Sequence, residues 1–166
     1  MAAEATAPPQ PRAAALRRAS AVLVCTLGLD QLTKHTVASA VAAGDQRRLL
    51  PGVQLVHVRN TGVAFGFFSG GGTLVLLLTL AALALLVAYF ARRPERPGLW
   101  LATGLLLGGA IGNLIDRLGS GAVIDFIKVP LWPAFNLADM AITFGILALL
   151  YALEGASSSA AEGHAG

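Results

Sequence analysis

Four long apolar stretches constrain the fold of this chain more than any other feature. They run over residues 19–41, 73–91, 99–118 and 137–153. Each is about long enough to cross a hydrocarbon core of roughly 30 Å as a helix. In lipid every backbone polar group needs a partner within the protein, which open strands do not provide. The pattern therefore predicts a mainly α-helical membrane protein with four transmembrane helices.

The composition is typical of the same class. Hydrophobic residues make up 55% of the chain and charged residues 13%, and the mean hydropathy is +0.69. An ordinary soluble domain is less apolar and more charged. The net charge of +3 comes from few residues, several of them beside apolar stretches, which favours contact with anionic lipid over nucleic-acid binding. We expect membrane lipid as a partner, no nucleic acid, and a monomer.

The basic residues predict the orientation. Arginines fill the short connection at 92–97 between the second and third stretches, and others precede the first stretch, namely Arg12, Arg17 and Arg18. The positive-inside tendency places both groups in the cytoplasm, together with both termini. The opposite loop also carries arginines, which weakens this charge difference: Arg47, Arg48 and Arg59.

The ends of the chain lack an apolar period. Residues 1–18 are rich in Ala and Pro, and residues 154–166 in Ala, Ser and Gly. Such composition predicts disordered cytoplasmic tails around one membrane domain at 19–153. The single cysteine, Cys25, excludes an internal disulfide framework. A signal-peptide interpretation of this region is disfavoured because the apolar stretch continues past Cys25.

Two short segments on the outer face have the pattern of strands. Residues 53–58 alternate imperfectly, and residues 123–127 are β-branched and short. Both lie within the connections at 42–72 and 119–136 on the same side of the membrane, so they predict a small sheet at its surface. Gly70-Gly-Gly72 predicts a flexible break before the second helix.

Asp30 and Lys34 stand four residues apart in the first apolar stretch, so they share one helix face. Opposite charges at this spacing neutralise each other, and the pattern predicts a structural ion pair. The alternative is that both side chains face a polar cavity and orient a substrate or a neighbouring loop.

Two further polar segments adjoin the outer face. Asn60-Thr-Gly-Val-Ala-Phe-Gly66 has the composition of a turn, although its amide could also hold a substrate backbone. Asn113, Asp116 and Arg117 project from one side of the last turn of the third helix. Arg117 complements the helix dipole there, and Asp116 is expected to pair with Arg117 or with a backbone donor. This cluster predicts a scaffold for the site.

Asp125 and Asp139 are the candidate reactive groups. Asp125 lies in an apolar strand with Val123 and Ile127 on its own side, so its carboxylate needs a partner or a proton. Asp139 has two interpretations: with Asn136 it could cap the fourth helix, or it could pair with Asp125. Two close carboxylates share one proton near neutral pH and can activate a water against a carbonyl, which is the chemistry of aspartic proteases.

The polar motifs together resemble bacterial lipoprotein signal peptidase, also called signal peptidase II. The resemblance covers about residues 19–153, with Asp30 and Lys34 upstream. It rests on four motifs in order: Asn60-Thr-Gly-Val-Ala-Phe-Gly66, Gly112-Asn-Leu-Ile-Asp-Arg117, Val123-Ile-Asp-Phe126 and Phe135-Asn-Leu-Ala-Asp139.

The resemblance implies an aspartic endopeptidase of the bacterial inner membrane that removes signal peptides from prolipoproteins, cutting just before a diacylglyceryl-modified cysteine. It implies four transmembrane helices with a small β-cradle and a half-helix on the outer, periplasmic side. Asp125 and Asp139 match the catalytic dyad. Four residues match positions that line the site or hold substrate: Asn60, Asn113, Arg117 and Asn136. Three match structural positions: Asp30, Lys34 and Asp116.

Other chemistries are less well matched by the residues. His35, His57 and His164 are scattered without a His-Glu-x-x-His pair, and Ser69 lacks a Gly-x-Ser-x-Gly elbow. We expect no cofactor and no metal. The alternatives from other classes are a small proton- or cation-coupled transporter that uses the buried aspartates, and a non-catalytic assembly factor.

Overall fold

The computed structural model describes residues 12–61 and 72–162, without the side chains of 72–76 and 155–162. Within these ranges the chain forms four helices and one small antiparallel sheet. In chain order the elements are α1 (Arg12–Ala40), β1 (Gln46–Leu50), β2 (Val53–Asn60), α2 (Gly72–Arg92), α3 (Leu99–Ser120), β3 (Val123–Lys128) and α4 (Leu137–Glu162).

Glycines set both ends of α3. Gly98 precedes the helix with φ 77°, and Gly121 follows it with φ 75°, both in the left-handed region that a side chain disfavours. The backbone N–H of Gly121 donates to the carbonyl of Arg117, which satisfies one of the last free carbonyls of the helix. The chain therefore turns directly from α3 into β3.

α3 is the central helix and packs against both α1 and α4. A row of glycines one turn apart lies along its α1-facing side: Gly104, Gly108 and Gly112. A Cβ at Gly108 would lie 2.7 Å from Cβ of Thr26, and one at Gly112 would lie 2.5 Å from Oδ2 of Asp30. Small residues at this spacing let two helix backbones approach closely, as is common between helices in membranes.

The sheet covers the end of the bundle where α1 and α3 finish and α4 begins. Its strand order is β1-β2-β3, and all pairs are antiparallel. Phe126 of β3 packs with Val37 and Val41 at the end of α1 in a buried apolar cluster. This contact fixes the sheet on the helices, so β3 and the beginning of α4 share one polar region.

The structure adds a strand that the sequence pattern did not indicate. β1 is exposed along its whole length and forms the edge of the sheet, so it lacks the apolar alternation that marks a half-buried strand. The local signal is the following Pro51-Gly52 turn, with Gly52 at φ 80°. Proline followed by a left-handed glycine is the pattern of a type II turn. The predicted strands at 53–58 and 123–127 are confirmed.

The opposite end of the bundle carries basic and aromatic side chains. The guanidinium of Arg18 lies over the ring of Trp100, 5.7 Å from its centroid. Arg96 donates a hydrogen bond to the hydroxyl of Tyr89. Ala15 of α1 and Leu99 of α3 are fully buried in the apolar cluster at this end of the bundle. The arginines in the first turns of α1 and those between α2 and α3 therefore lie at one end, away from the sheet.

The helices extend beyond the predicted apolar spans. α1 begins at Arg12 and α4 continues to Glu162, which moves both boundaries outward from 19 and 153. Residues 13–16 are three alanines and a leucine, and their high helix propensity explains the earlier start of α1. Two described helical segments have the length and apolarity of membrane spans, Leu99–Ser120 and Leu137–Glu154. The predicted break at Gly70–Gly72, apart from Gly72 itself, and Ser69 lie outside the described residues.

Replacing Gly108 by alanine tests the close contact between α1 and α3. The added methyl group would press against Thr26, so we expect a loss of about 1–3 kcal/mol in the free energy of unfolding. The measurement is thermal unfolding of the purified protein in detergent. Gly119→Ala on the same helix is the control, because nothing lies within 4 Å of its Cβ position. An equal effect of both substitutions would contradict the packing role.

Candidate active site

Five polar side chains from four elements meet where the sheet covers the bundle. Asp125 lies in β3 and Asp139 in the first turn of α4. Three asparagines surround them and are called the asparagine cage here: Asn60 at the end of β2, Asn113 in α3, and Asn136 directly before α4. Chain segments far apart in sequence therefore supply one site.

Asp125 is held in an apolar strand by two amides. Asp125 is only 3% exposed, and Val123 on the same side of β3 is 2% exposed. The amide nitrogen of Asn136 donates to Oδ1 at 2.7 Å, and that of Asn60 donates to Oδ2 at 2.9 Å. The prediction that this side chain points toward the apolar interior and needs partners is confirmed.

Asp139 caps its own helix and faces α3 as well. The backbone N–H of Asn136 donates to Oδ2 of Asp139 at 3.2 Å, and the N–H of Asp139 donates to Oδ1 of Asn136 at 3.0 Å. This reciprocal pair is a capping box, and the helix N-terminus favours the negative charge. The amide of Asn113 donates to Oδ1 at 2.9 Å. The predicted cap is confirmed, and it leaves Asp139 in contact with the other site residues.

Asn136 connects the two carboxylates. Its side-chain amide donates to Asp125 while its backbone N–H donates to Asp139. It is fully buried, so its orientation is determined by these bonds. A carboxylate oxygen accepts two hydrogen bonds, and each of these four oxygens receives one from the cage. Each carboxylate therefore keeps capacity to accept a hydrogen bond from a water or a substrate.

The surroundings of Asp125 favour its protonated form. Burial raises the pKa of this carboxyl, the hydrogen bond from Asn60 lowers it, and the negative charge of Asp139 raises it again. The bond from Asn136 and the charge of Lys34 lower the pKa by smaller amounts, and the net direction is upward. A raised pKa in one member of a carboxylate pair is the condition for holding a shared proton near neutral pH.

A buried ion cluster lies behind the cage. The ammonium of Lys34, 2% exposed, is 2.7 Å from Oδ2 of Asp30 and 2.8 Å from Oδ2 of Asp116. Gln31 donates to Oδ1 of Asp116 at 3.1 Å and to the carbonyl of Gly112 at 3.2 Å. The predicted pair of Asp30 and Lys34 is confirmed. The predicted partner of Asp116 is wrong: it pairs with Lys34 across the helix contact, because the glycine row brings α1 within reach.

Lys34 determines which way the amide of Asn113 points. An ammonium group only donates, and Nζ of Lys34 lies 2.8 Å from Oδ1 of Asn113. The oxygen of the amide therefore faces α1 and its NH₂ group faces Asp139. On the other side of the cluster, Oδ1 of Asp30 accepts the backbone N–H of Ala138 at 2.9 Å. The ion cluster thus positions both Asn113 and the first turn of α4.

The predicted site residues fall into three groups in the structure. Asp125, Asp139 and the cage form one hydrogen-bonded set, and the ion cluster adjoins it. Arg117 is exposed at the margin, where it donates to the carbonyl of Asn113 at 3.3 Å, a bond that suits a cation near a helix C-terminus. Gln31 is an addition that sequence reasoning missed; its position beside Asp30 was the available signal. Residues 62–66 of the motif that begins at Asn60 lie outside the residues that the structure describes.

This arrangement can carry out acid and base catalysis on the addition of water to one carbonyl group. A protonated carboxyl donates to a developing oxyanion while an ionised carboxylate takes a proton from water. The amides of the cage carry no charge, so they orient both carboxyl groups without acting as counter-ions. Asp125 is buried, so bulk water is excluded from its carboxyl group, and this strengthens its hydrogen bonds.

Comparisons with known proteins identify the family. The family model for signal peptidase (SPase) II matches residues 22–154. A lipoprotein signal peptidase of Moorella thermoacetica is 41% identical over 129 residues, covering 76% of this chain and 86% of that protein. The lipoprotein signal peptidase of Thermodesulfovibrio yellowstonii is 38% identical over 142 residues, covering 82% of this chain and 94% of that protein.

Two solved structures share the fold, and both are described as bacterial membrane enzymes. One aligns with a TM-score of 0.77 at 32% identity, covering 85% of this chain and 90% of that one. The other aligns with a TM-score of 0.74 at 33% identity, covering 81% and 91%. Residues 22–154, which the family model matches, contain both aspartates, the whole cage and the ion cluster. The chain belongs to the signal peptidase II family of membrane proteases.

Proposed function

We propose that this protein is an aspartic endopeptidase that removes signal peptides from diacylglyceryl-modified prolipoproteins, cutting just before the lipidated cysteine. The observation that carries the proposal is the pair Asp125 and Asp139, joined through Asn136 and with a raised pKa at Asp125. Relatives of this chain are lipoprotein signal peptidases. The alternative of a small transporter has no support from these relatives.

The two aspartates have different roles in the proposed reaction. Asp125, buried and protonated, donates its proton to the carbonyl oxygen of the scissile bond. Asp139, at a helix N-terminus, takes a proton from the water that attacks the carbonyl carbon. The tetrahedral diol then collapses: Asp139 gives its proton to the leaving nitrogen of the cysteine, and a diol hydroxyl returns a proton to Asp125. Both carboxyls end as they began.

Substrate contacts are assigned to the residues around the dyad. Asn60 and Asn113 hold the carboxylates through their NH₂ groups, and Asn136 bridges them. In the proposal these amides also bind the extended peptide backbone at the cut. Arg117 is exposed at the mouth of the site and binds substrate carbonyls there. No cofactor takes part in the proposed reaction.

Four helices are proposed to cross the membrane. α3 and α4 have the length and apolarity of spans. α1 and α2 expose large apolar side chains around the bundle, as a lipid-facing helix does: Val24, Leu29 and Leu32 on α1, and Leu77, Leu78 and Leu85 on α2. These exposed side chains support contact between lipid and both helices. The proposed peptidase domain covers residues 19–153, with cytoplasmic tails at 1–18 and 154–166.

The proposed orientation puts the site on the outer side of the bacterial inner membrane. Arg18 and Arg96 lie with Trp100 and Tyr89 at the end opposite the sheet, as expected of a cytoplasmic interface. Both termini are then cytoplasmic. A lipidated cysteine keeps its acyl chains in the bilayer, so its peptide bond is presented at the interface. That is where the proposal places Asp125 and Asp139.

Replacing either aspartate by asparagine tests the dyad. Asp125→Asn and Asp139→Asn keep the side-chain shape and remove the acid or the base, so each is expected to lower kcat at least about a hundredfold. The measurement is mass analysis of products from a diacylglyceryl-modified precursor. Asp45→Asn changes an exposed residue directly before β1, at the same end of the bundle as the site, and should retain full activity. Full cleavage by either dyad variant would exclude the aspartic mechanism, and mutant-sensitive ion flux in liposomes would favour a transporter.

Removing the amide of Asn60 tests the protonated state of Asp125. Its donor stabilises the ionised carboxylate, so Asn60→Ala should raise the pKa of Asp125 further. An ionised Asp125 cannot donate a proton, so activity is lost as pH rises through this pKa. The alkaline limb of the kcat/KM profile should move upward by roughly one pH unit, given the usual strength of a hydrogen bond to a charged group. A raised KM with an unmoved limb would assign Asn60 to substrate binding alone.

Lys34→Met tests the ion cluster as a positioning element. The substitution leaves Asp30 and Asp116 buried without a cation, so the free energy of unfolding should fall by about 3–5 kcal/mol. Thermal unfolding in detergent measures this loss. Arg47→Met, at an exposed position on β1, is the control and should leave stability unchanged. If Lys34→Met unfolded like the control, the cluster would have no structural role.

A further inference from the structure

Three polar side chains form a row across the sheet, away from the aspartates. Arg48 of β1 pairs with Gln54 of β2, and Gln54 pairs with Lys128 of β3. Directly paired residues on adjacent strands project from the same face, about 4.8 Å apart from strand to strand. Two cations therefore flank one amide. This set is called the cationic row here.

The cationic row lines a surface cavity of about 410 Å³. Leu50, Gly52 and Pro130 complete much of its wall, and its described lining contains no acidic residue. Arginine presents a planar fork of donors that matches phosphate oxygens, and lysine and the glutamine amide add further donors. The cavity therefore has the charge and the donor geometry for a phosphodiester.

Apolar side chains beside this cavity are exposed in the described part of the chain. Leu131 is fully exposed and Trp132 is 63% exposed. Leu131 also has φ 61°, a left-handed conformation that is uncommon and costly for a residue other than glycine. Nζ of Lys128 donates to the carbonyl of Trp132 at 2.6 Å, which fixes this turn next to the cationic row. Packing within the described chain does not explain two large apolar side chains held outward here.

The combination matches the boundary of a lipid leaflet. Tryptophan is enriched at the level of lipid headgroups, and cationic side chains there attract anionic lipid. The sheet lies at one end of a bundle that exposes apolar helix faces, so its surface adjoins that boundary. We propose that the cationic row binds the headgroup phosphate of an anionic phospholipid, with Leu131 and Trp132 inserted beside its acyl chains. This proposal is independent of the hydrolytic chemistry.

Fluorescence quenching in the full-length protein tests the proposal. The chain has two tryptophans, Trp100 and Trp132, so Trp100→Phe leaves Trp132 as the only strong emitter. The protein is placed in phosphatidylcholine nanodiscs with a minor fraction of phosphatidylglycerol. Bromine is carried either by the phosphatidylglycerol chains or by an equal fraction of phosphatidylcholine. We expect at least about twofold stronger quenching from the brominated anionic lipid, because it is concentrated next to Trp132.

Charge variants then locate the binding groups. Arg48→Gln with Lys128→Gln should reduce quenching by the anionic lipid to the level of phosphatidylcholine. Arg47→Gln is the matched control: it removes an exposed arginine that pairs with Leu55 and projects from the other face of β1. This control should keep the preference for phosphatidylglycerol.

Each remaining outcome overturns the proposal. Equal quenching by the two lipids in the Trp100→Phe parent would show membrane contact without headgroup recognition. Absence of quenching in both arms would show that Trp132 does not reach lipid. Loss of the lipid preference in inorganic phosphate, but not in sodium chloride of equal ionic strength, would assign the cationic row to soluble phosphate. The parent comparison needs neither charge variant, so it stands even if the double variant fails to fold.

Discussion

The buried ammonium of Lys34 is the interaction on which the rest of the site depends. Moving a charge out of water costs several kcal/mol, and the cost is offset only when partners are close and well placed. Asp30 and Asp116 supply them at 2.7 and 2.8 Å. These groups reside on two helices, so the charges can meet only if α1 and α3 approach closely. The glycine row on α3 permits that approach, and burial of the ions in turn makes any looser packing unfavourable.

The ion cluster reaches the reactive groups through neutral amides. Lys34 orients Asn113 toward Asp139, and Asp30 accepts an N–H from the first turn of α4. The cage then connects Asp139 to Asp125 through Asn136. The ammonium of Lys34 is separated from both carboxylates by Asn113, so it positions them without forming an ion pair with either. Burial is the main cause that raises the pKa of Asp125, and the charge of Lys34 lowers that pKa by the least of the causes that act on it.

The sheet has two regions of different chemistry. One packs Phe126 against α1 and places Asp125 beside Asn136, and the other carries the cationic row, with Leu131 and Trp132 in the turn that follows β3. The proposed contact with anionic lipid would hold the sheet at the level where a lipidated peptide leaves the bilayer. Membrane attachment of the sheet and placement of the scissile bond would then have a common cause, which is the depth of the lipid headgroups.

Local sequence determined the helices, two of the three strands, the ion pair of Asp30 with Lys34, and the cap at Asn136, because each depends on spacing within one element. The motifs also predicted which polar residues belong to the site. Only the tertiary structure decided that Asp116 pairs with Lys34, that Gln31 joins them, and that the amide of Asn113 faces Asp139. Those contacts cross between helices, and their distances depend on how closely glycine lets two backbones approach. The edge strand β1 could not be predicted for a related reason. It has no apolar pattern of its own, and it is a strand only because it pairs with β2.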